Sequence, residues 1–150
     1  PCGRRPALQH SPGALPDQPC VDLLGSPHGA WWSRRVAGAA GRKAPGVVDN
    51  MFGSELVDAK VGGLPCGWLI DRKDGTPMNE PPHTVIAHDK VRHVGDQVAL
   101  VVAETLLHAK DAAELIEVDY EELAPVIDLA SASSNGPAVH DDVAEDVRYD

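Results

Sequence analysis

Cysteines, positive charges and long apolar runs are scarce in this sequence, and each scarcity argues against a class of protein. The three cysteines, Cys2, Cys20 and Cys66, form no CxxC pair and their number is odd. They argue against a disulfide framework and favour a reducing, cytoplasmic compartment. Lys and Arg number 13 against 23 Asp and Glu, which gives a formal net charge of −10 at pH 7. Because phosphate binding needs clustered Lys and Arg, no nucleic-acid partner is predicted.

No apolar run approaches the length of a membrane span. The run from Val98 to Ala103 has six residues, whereas a transmembrane helix needs about 20. Arg4 and Arg5 precede no apolar segment, so the sequence predicts neither a secretory signal nor a membrane partner. The chain begins with Pro1 rather than Met, which we interpret as a missing start or a fragment.

The sequence divides into three segments. Residues 1–25 are rich in proline and are predicted to be irregular, apart from a short apolar patch from Cys20 to Leu24. Residues 26–130 contain the periodic patterns of one folded domain, and residues 131–150 form an acidic linker or tail. Charge is also uneven, because residues 1–49 hold six Lys or Arg against three Asp or Glu, and the remainder holds seven against twenty.

The clearest periodic pattern lies between Lys90 and Pro125. Its apolar run, Val98 to Ala103, is typical of a buried strand, and Thr105 is a suitable N-cap for a following helix. Five apolar residues then recur at helical spacing: Leu106, Ala109, Ala112, Ala113 and Ile116. Beyond them the period changes to two. The pattern predicts an α+β fold whose mixed sheet contains a βαβ unit at about 97–121 with a right-handed crossover.

The second strand of this unit carries acidic residues on one face. Glu117, Asp119 and Glu121 alternate with the apolar Ile116, Val118 and Tyr120. Neighbouring carboxylates on such a face lie about 6.6 Å apart, and paired acids at comparable distances catalyse glycoside hydrolysis. The polar side of a half-buried strand has the same pattern, and we favour that simpler interpretation.

Turn-forming residues predict further elements. Gly95-Asp96 is typical of a two-residue hairpin turn, here between strands at 91–94 and 97–103. The stretch from Ala37 to Ala44 tolerates a helix. Val85 to Ala87, which follows two prolines, is predicted to be a strand.

Two adjacent tryptophans precede a basic stretch. We expect at least one of Trp31 and Trp32 to fill a gap in the core or to cover an edge, rather than to bind a ligand. Arg34 and Arg35 are expected to form a solvated surface that could meet the acidic half of the molecule or another chain.

The histidines and the third cysteine do not form a recognisable site. His83, His88 and His93 are five residues apart, a spacing that suits neither a strand nor a helix. HExxH and EF-hand patterns are absent. Cys66 lies in the loop GLPCGW, which leads to the short apolar triplet Trp68-Leu69-Ile70, and no base is assigned to it. The sequence therefore predicts no catalytic, cofactor-binding or metal-binding residue.

Three stretches nevertheless resemble one enzyme family: GLPCGW, EPPHTVIAHDKVRHVGDQVALVVAET and AKDAAELIEVDYEELAPVID. They are similar to the α/β-hammerhead domain at the N-terminus of the molybdopterin-binding large subunit of xanthine dehydrogenases, aldehyde oxidases and aerobic carbon monoxide dehydrogenases. The resemblance is nearly continuous from Gly63 to about Asp128. A weaker one covers SPHGA, Ser26 to Ala30, where the second histidine of the family's SPHAHA motif is missing.

The resemblance implies an oxidoreductase, a molybdenum hydroxylase that acts on an aldehyde, a heterocycle or carbon monoxide. It places the molybdenum–molybdopterin cofactor in downstream domains of the same subunit, and the iron–sulfur clusters and FAD in partner subunits or domains. No catalytic or cofactor-binding residue carries over to this chain. Residues 26–130 are therefore expected to be an architectural domain, inactive alone, that packs against the molybdopterin-binding domains of an enzyme with a small-molecule substrate.

Two other functions stay open at this point. An acidic chain without catalytic groups could be a stand-alone binding or scaffold module with the hammerhead fold. Glu117, Asp119 or Glu121 could instead serve a small acid–base hydrolase.

Overall fold

The computed structural model describes residues 18–132, 137–141 and 143. Ten elements lie within these ranges: β1 (Cys20–Gly25), β2 (Trp31–Ala37), α1 (Ala39–Arg42), β3 (Val47–Phe52), α2 (Gly53–Asp58), β4 (Lys90–Val91), β5 (Gln97–Ala103), α3 (Leu106–Glu114), β6 (Glu117–Glu122) and α4 (Leu129–Ala132). None of the described helices combines the length and apolarity that crossing a membrane requires. The chain divides into two compact units. We call residues 18–61 and 86–122 the sheet unit, and residues 62–85 with the described residues after 122 the loop unit.

The six strands belong to the sheet unit and form two antiparallel sheets of three strands. The strand orders are β1-β5-β3 and β4-β2-β6. In the first sheet, Leu100 of the central strand β5 lies opposite Leu23 of β1 and Met51 of β3. The adjacent residues Val98 and Ala99 point to opposite faces and are both buried. Both faces of β5 are thus covered here, which explains its continuous apolar run.

The predicted mixed sheet is wrong, although the α+β class and the order strand, helix, strand are confirmed. β5 and β6 lie in different sheets, and every pairing among the described strands is antiparallel. The two edges of β5 are taken by β1 and β3, while β6 pairs with β2. Local periodicity identified the strands correctly but contains no information about which distant strand each one pairs with.

Two further expectations need correction. Gly95 does adopt a positive φ of 88° in a turn, but β4 joins the second sheet and β5 the first, so no hairpin forms. Residues 85–87 are not a strand, although the Ala87 N–H donates to the Gln97 carbonyl at 2.7 Å. The apolar patch that was excepted from the irregular segment belongs to a strand, Cys20–Gly25, because it pairs along β5.

The core of the sheet unit is built from small residues around α3. The Thr105 hydroxyl accepts a hydrogen bond from the His108 N–H at 3.2 Å, which confirms the predicted N-cap. Ala109, Ala112 and Ala113 are buried, and α3 contacts β1 and β5. A Cβ on Gly41 of α1 would lie 2.7 Å from the Ala112 carbonyl oxygen, so the close approach of α1 to α3 depends on glycine.

The loop unit has a different construction. Residues 62–85 contain no helix or strand, only an isolated bridge between Asp71 and Pro77. Backbone hydrogen bonds join the two legs of this excursion: the Leu64 N–H donates to the His83 carbonyl at 2.8 Å, and the Met78 N–H donates to the Ile70 carbonyl at 3.2 Å. The second part of the unit contains α4.

Candidate functional site

The two sheets meet at Ser26, which directly follows β1. Ser26 is buried, its N–H donates to the Asp96 carbonyl, and its carbonyl accepts from the Gly95 N–H, both at 2.8 Å. A Cβ on Gly25 would lie 3.2 Å from the Gly95 carbonyl oxygen, so the two backbones approach closely here. These contacts continue the β1–β5 pairing past the strand end and fix the point where the chain crosses to the second sheet.

The Ser26 side chain serves the turn rather than a reaction. Its Oγ donates to the His28 carbonyl at 3.3 Å and accepts from the His28 N–H at 3.1 Å. It also forms a hydrogen bond with Tyr120. Serine nucleophiles are activated by a hydrogen bond from the hydroxyl to an imidazole. Because Ser26 bonds to the backbone of His28, this pair is not arranged as a nucleophile and its base.

Three rings pack together beside Ser26. The His28 and Trp31 rings are stacked, with centroids 3.9 Å apart and an interplanar angle of 20°. Tyr120 meets His28 edge-on at 5.1 Å and Trp31 edge-on at 6.2 Å. Each such pair stabilises a fold by about 0.5–1.5 kcal/mol beyond its buried area. Trp31 also packs against the hydrophobic core, which confirms that one of the two tryptophans fills the core.

Tyr120 is held as a neutral phenol in this cluster. Burial raises the pKa of Tyr120, and the hydrogen bond with Ser26 only partly opposes that effect. The sequence did not reveal these residues as one cluster. The weak SPHGA resemblance pointed to Ser26 and His28, and the period of two placed Tyr120 on the apolar face of its strand. Their meeting depends on a pairing between β2 and β6 that is not encoded locally.

The carboxylate row is exposed on β6, as the alternation predicted. Glu121 forms an ion pair with Arg34, and Asp119 lies opposite Arg35 in the β2–β6 register. The hydrogen bond from Arg34 lowers the pKa of Glu121. A general acid in glycoside hydrolysis needs a raised pKa. The surroundings of Glu121 act in the opposite direction, so the geometry does not favour the hydrolase.

The second tryptophan, Trp32, lies on β2 beside two positively charged side chains. The Arg34 guanidinium and the Lys90 ammonium are each 5.9 Å from the centroid of its ring. Such cation–π contacts stabilise the cation by about 0.5–1 kcal/mol when exposed and more when desolvated. Lys90 is buried, which the sequence did not predict. The contacts of Trp32 are with residues of its own sheet.

The three histidines that are five residues apart have different surroundings in the structure. His83 belongs to the loop unit, while His88 and His93 belong to the sheet unit. His88 Nε2 lies 3.6 Å from Asp89 Oδ2, and His93 Nδ1 lies 3.2 Å from the Val94 carbonyl oxygen. Across residues 18–132, 137–141 and 143, no three His, Cys, Asp or Glu side chains are grouped so that they could hold a metal ion.

Cys66 lies at a small cavity in the loop unit. Its N–H donates to Glu80 Oε1 at 3.1 Å, and its thiol donates to the Trp68 carbonyl at 3.2 Å. The cavity has a volume of about 250 Å³. Its lining consists of Leu64, Pro65, Cys66, Glu80, Pro81 and His83. Cys66 therefore holds two parts of the loop together and borders an open recess.

Comparison with known protein families identifies the fold to which these residues belong. The sequence model of the family described as "Aldehyde oxidase and xanthine dehydrogenase, a/b hammerhead domain" matches residues 14–124. This chain belongs to that family. The match includes β1 and starts inside the segment that was predicted to be irregular. The resemblance inferred from sequence and the hammerhead fold are both confirmed.

Relatives of this hammerhead domain are much longer proteins. The chain is 52% identical over 123 residues to the probable hypoxanthine oxidase XdhD of Escherichia coli O157:H7, which is 81% of this chain and 12% of that protein. It is 32% identical over 92 residues to the xanthine dehydrogenase molybdenum-binding subunit of the same organism, covering 61% and 12%. Quinoline 2-oxidoreductase from Pseudomonas putida 86 superposes with a TM-score of 0.70 and 29% identity, over 83% of this chain and 15% of that one.

Proposed function

We propose that this chain is the hammerhead domain of the molybdopterin-binding large subunit of a molybdenum hydroxylase. The observation that carries the proposal is the family match over residues 14–124, together with relatives of which the chain spans about an eighth. One of these relatives is named as a molybdenum-binding subunit. We assign the domain to residues 26–130 and β1, with an acidic linker after residue 130.

The role of the domain in that subunit is architectural. The described side chains of the candidate site are engaged in structural contacts: Ser26 in a turn, Tyr120 in a ring cluster and Glu121 in an ion pair. The described residues offer no grouping that suits a metal ion. We assign the molybdopterin cofactor to the remainder of the subunit, since the match covers only 12% of the relative that is named as a molybdenum-binding subunit.

The reaction assigned to the whole enzyme is the oxidation of a small molecule. The names of the relatives, a probable hypoxanthine oxidase and a quinoline oxidoreductase, favour a nitrogen heterocycle over an aldehyde or carbon monoxide. Iron–sulfur and flavin subunits or domains complete the proposed electron path. This cytoplasmic enzyme would use the domain as a rigid body against which the molybdopterin-binding domains pack.

Sequencing the gene on both sides of this segment tests the proposal. We expect the reading frame to continue into molybdopterin-binding domains. A frame that ends near Asp150, with no gene for such domains nearby, would contradict it and favour a stand-alone binding module. Immunoprecipitation of the chain from its native source gives a second measurement, because metal analysis should then find molybdenum in the captured protein.

A further inference from the structure

The loop unit exposes three large apolar side chains that lie close together in the sequence. Trp68 is 78% exposed, Leu69 is 65% exposed and Leu64 is 63% exposed. Within residues 62–85, Met78 is the one large apolar residue whose side chain is buried. Three exposed apolar residues within six positions, one of them tryptophan, are typical of a surface that another protein covers. We call Leu64, Trp68 and Leu69 the docking surface.

The backbone of the loop holds this surface in place before any partner binds. The legs of the loop are joined at Leu64 and His83 and again at Ile70 and Met78. The Cys66 N–H bonds to Glu80, which ties the middle of the first leg to the second. Preorganised loops lose less conformational entropy on binding. Loops of this length without secondary structure are usually functional.

The docking surface offers both a projection and a recess. The Trp68 ring projects into solvent, and Leu64 lines the cavity of about 250 Å³ that also contains Glu80 and His83. Protein interfaces commonly combine aromatic side chains with recesses that accept side chains of the partner. The partner therefore needs an apolar hollow for an indole ring and a side chain that enters the recess.

The charge of the chain distinguishes between possible partners. A net charge of −10 opposes approach to anionic lipid or to nucleic acid, and it opposes association of two copies. A protein surface in the same polypeptide is favoured instead, because the covalent linkage gives docking an effective concentration of up to about millimolar. The longest part of the proposed subunit lies outside this chain, which spans 12% of its relatives.

We propose that Leu64, Trp68 and Leu69 dock onto the remainder of the large subunit, with the Trp68 ring inserted into an apolar hollow of the molybdopterin-binding domains. This inference rests on the proposed function and deepens it by naming the surface through which the hammerhead domain is attached.

Hydroxyl-radical footprinting of the full-length subunit tests the docking surface. Leu107 on α3 is 66% exposed and provides a matched control for Leu64 and Leu69. In the full-length subunit, we expect the labelling rates of Leu64, Trp68 and Leu69, each divided by the intrinsic reactivity of its side chain, to fall well below that of Leu107. Leu69→Asp should also release the domain to limited proteolysis, whereas Leu107→Asp should leave the digestion pattern unchanged.

The other outcomes separate the docking surface from the proposed function. If the full-length subunit exists and the normalised labelling rates of Leu64, Trp68 and Leu69 equal that of Leu107, the proposed docking surface is wrong and the proposed function stands. Protection that disappears on dilution would assign the surface to a second copy and overturn the inference. If the gene encodes no larger subunit, the proposed function fails and the docking surface fails with it.

Discussion

The apolar residues of the central strand β5 and those of the loop at residues 62–85 differ in their exposure to solvent. In the sheet unit, Ala99, Val101 and Ala103 on one face of β5 are completely buried, and strand pairing fixes their positions. In the loop, Trp68 and Leu69 face solvent, and a few hydrogen bonds between the legs hold the backbone. Stability in this chain is therefore concentrated in the sheet unit, while the loop presents the surface that is suited to interaction.

The largest expected effect comes from placing a charge in each region. Val101→Asp puts an unpaired carboxylate into the centre of the first sheet, and we expect it to lower the free energy of unfolding by about 3–5 kcal/mol. Leu69→Asp, at a position that is 65% exposed, should change it by less than about 0.5 kcal/mol. Urea denaturation of the 150-residue chain, followed by circular dichroism, measures both. Equal losses would remove the distinction between the two regions.

A second comparison uses glycines with the same backbone conformation. Gly46 has a φ of 72° and Gly75 a φ of 81°, so alanine at either position costs about 1–2 kcal/mol from the left-handed backbone alone. A Cβ at Gly46 would also lie 2.0 Å from His108 Nδ1, whereas a Cβ at Gly75 meets nothing within 4 Å. We expect Gly46→Ala to cost about 1–3 kcal/mol more than Gly75→Ala.

Hydrogen exchange in peptides that contain each glycine provides the measurement, because it reports the stability of each region separately. Protection around Gly46 should fall well below that of the wild type, and protection around Gly75 should fall less. Similar losses at both positions would mean that His108 moves aside at little cost, and that packing near α3 is looser than the structure indicates.

Features that depend on near neighbours were predictable from the sequence, and features that depend on distant pairing were not. The helix after Thr105 and the two-sided pattern of β6 follow from residues within a few positions of one another. The assignment of β5 and β6 to separate sheets depends on β1, β2 and β3, which lie far away in the chain. No local pattern distinguishes that arrangement from a βαβ unit.

The same limit applies to the candidate sites. Trp31 and Tyr120 meet through the β2–β6 pairing, and their contact is not visible in either segment alone. Residues 63–68 were expected to be a loop because of their glycines and proline, and Trp68-Leu69-Ile70 was noted as an apolar triplet. The exposure of Trp68 was not expected, since an apolar triplet has the same sequence whether it enters the core or stays outside.

The smallest expected effect concerns the exposed ion pair on the second sheet. The Arg34 guanidinium lowers the pKa of Glu121 below its ordinary value of 4.5. Arg34→Gln should raise that pKa toward the ordinary value, which carbon NMR of the side-chain carboxyl measures. Arg35→Gln is the matched control, because Arg35 lies opposite Asp119 in the register.

The direction of this shift determines how the pair contributes at different pH values. Because the pKa of Glu121 is lower in the folded chain, the stabilisation is present above the ordinary pKa and is lost as the pH falls through the folded value. The wild type should therefore lose more stability on acidification than Arg34→Gln, and the difference should shrink in concentrated salt. If Arg35→Gln moved the Glu121 pKa equally, the carboxylate row would respond to the general field of the sheet rather than to one partner. The arginines of β2 and the acidic residues of β6 would then act as one charged group in which no single pair dominates.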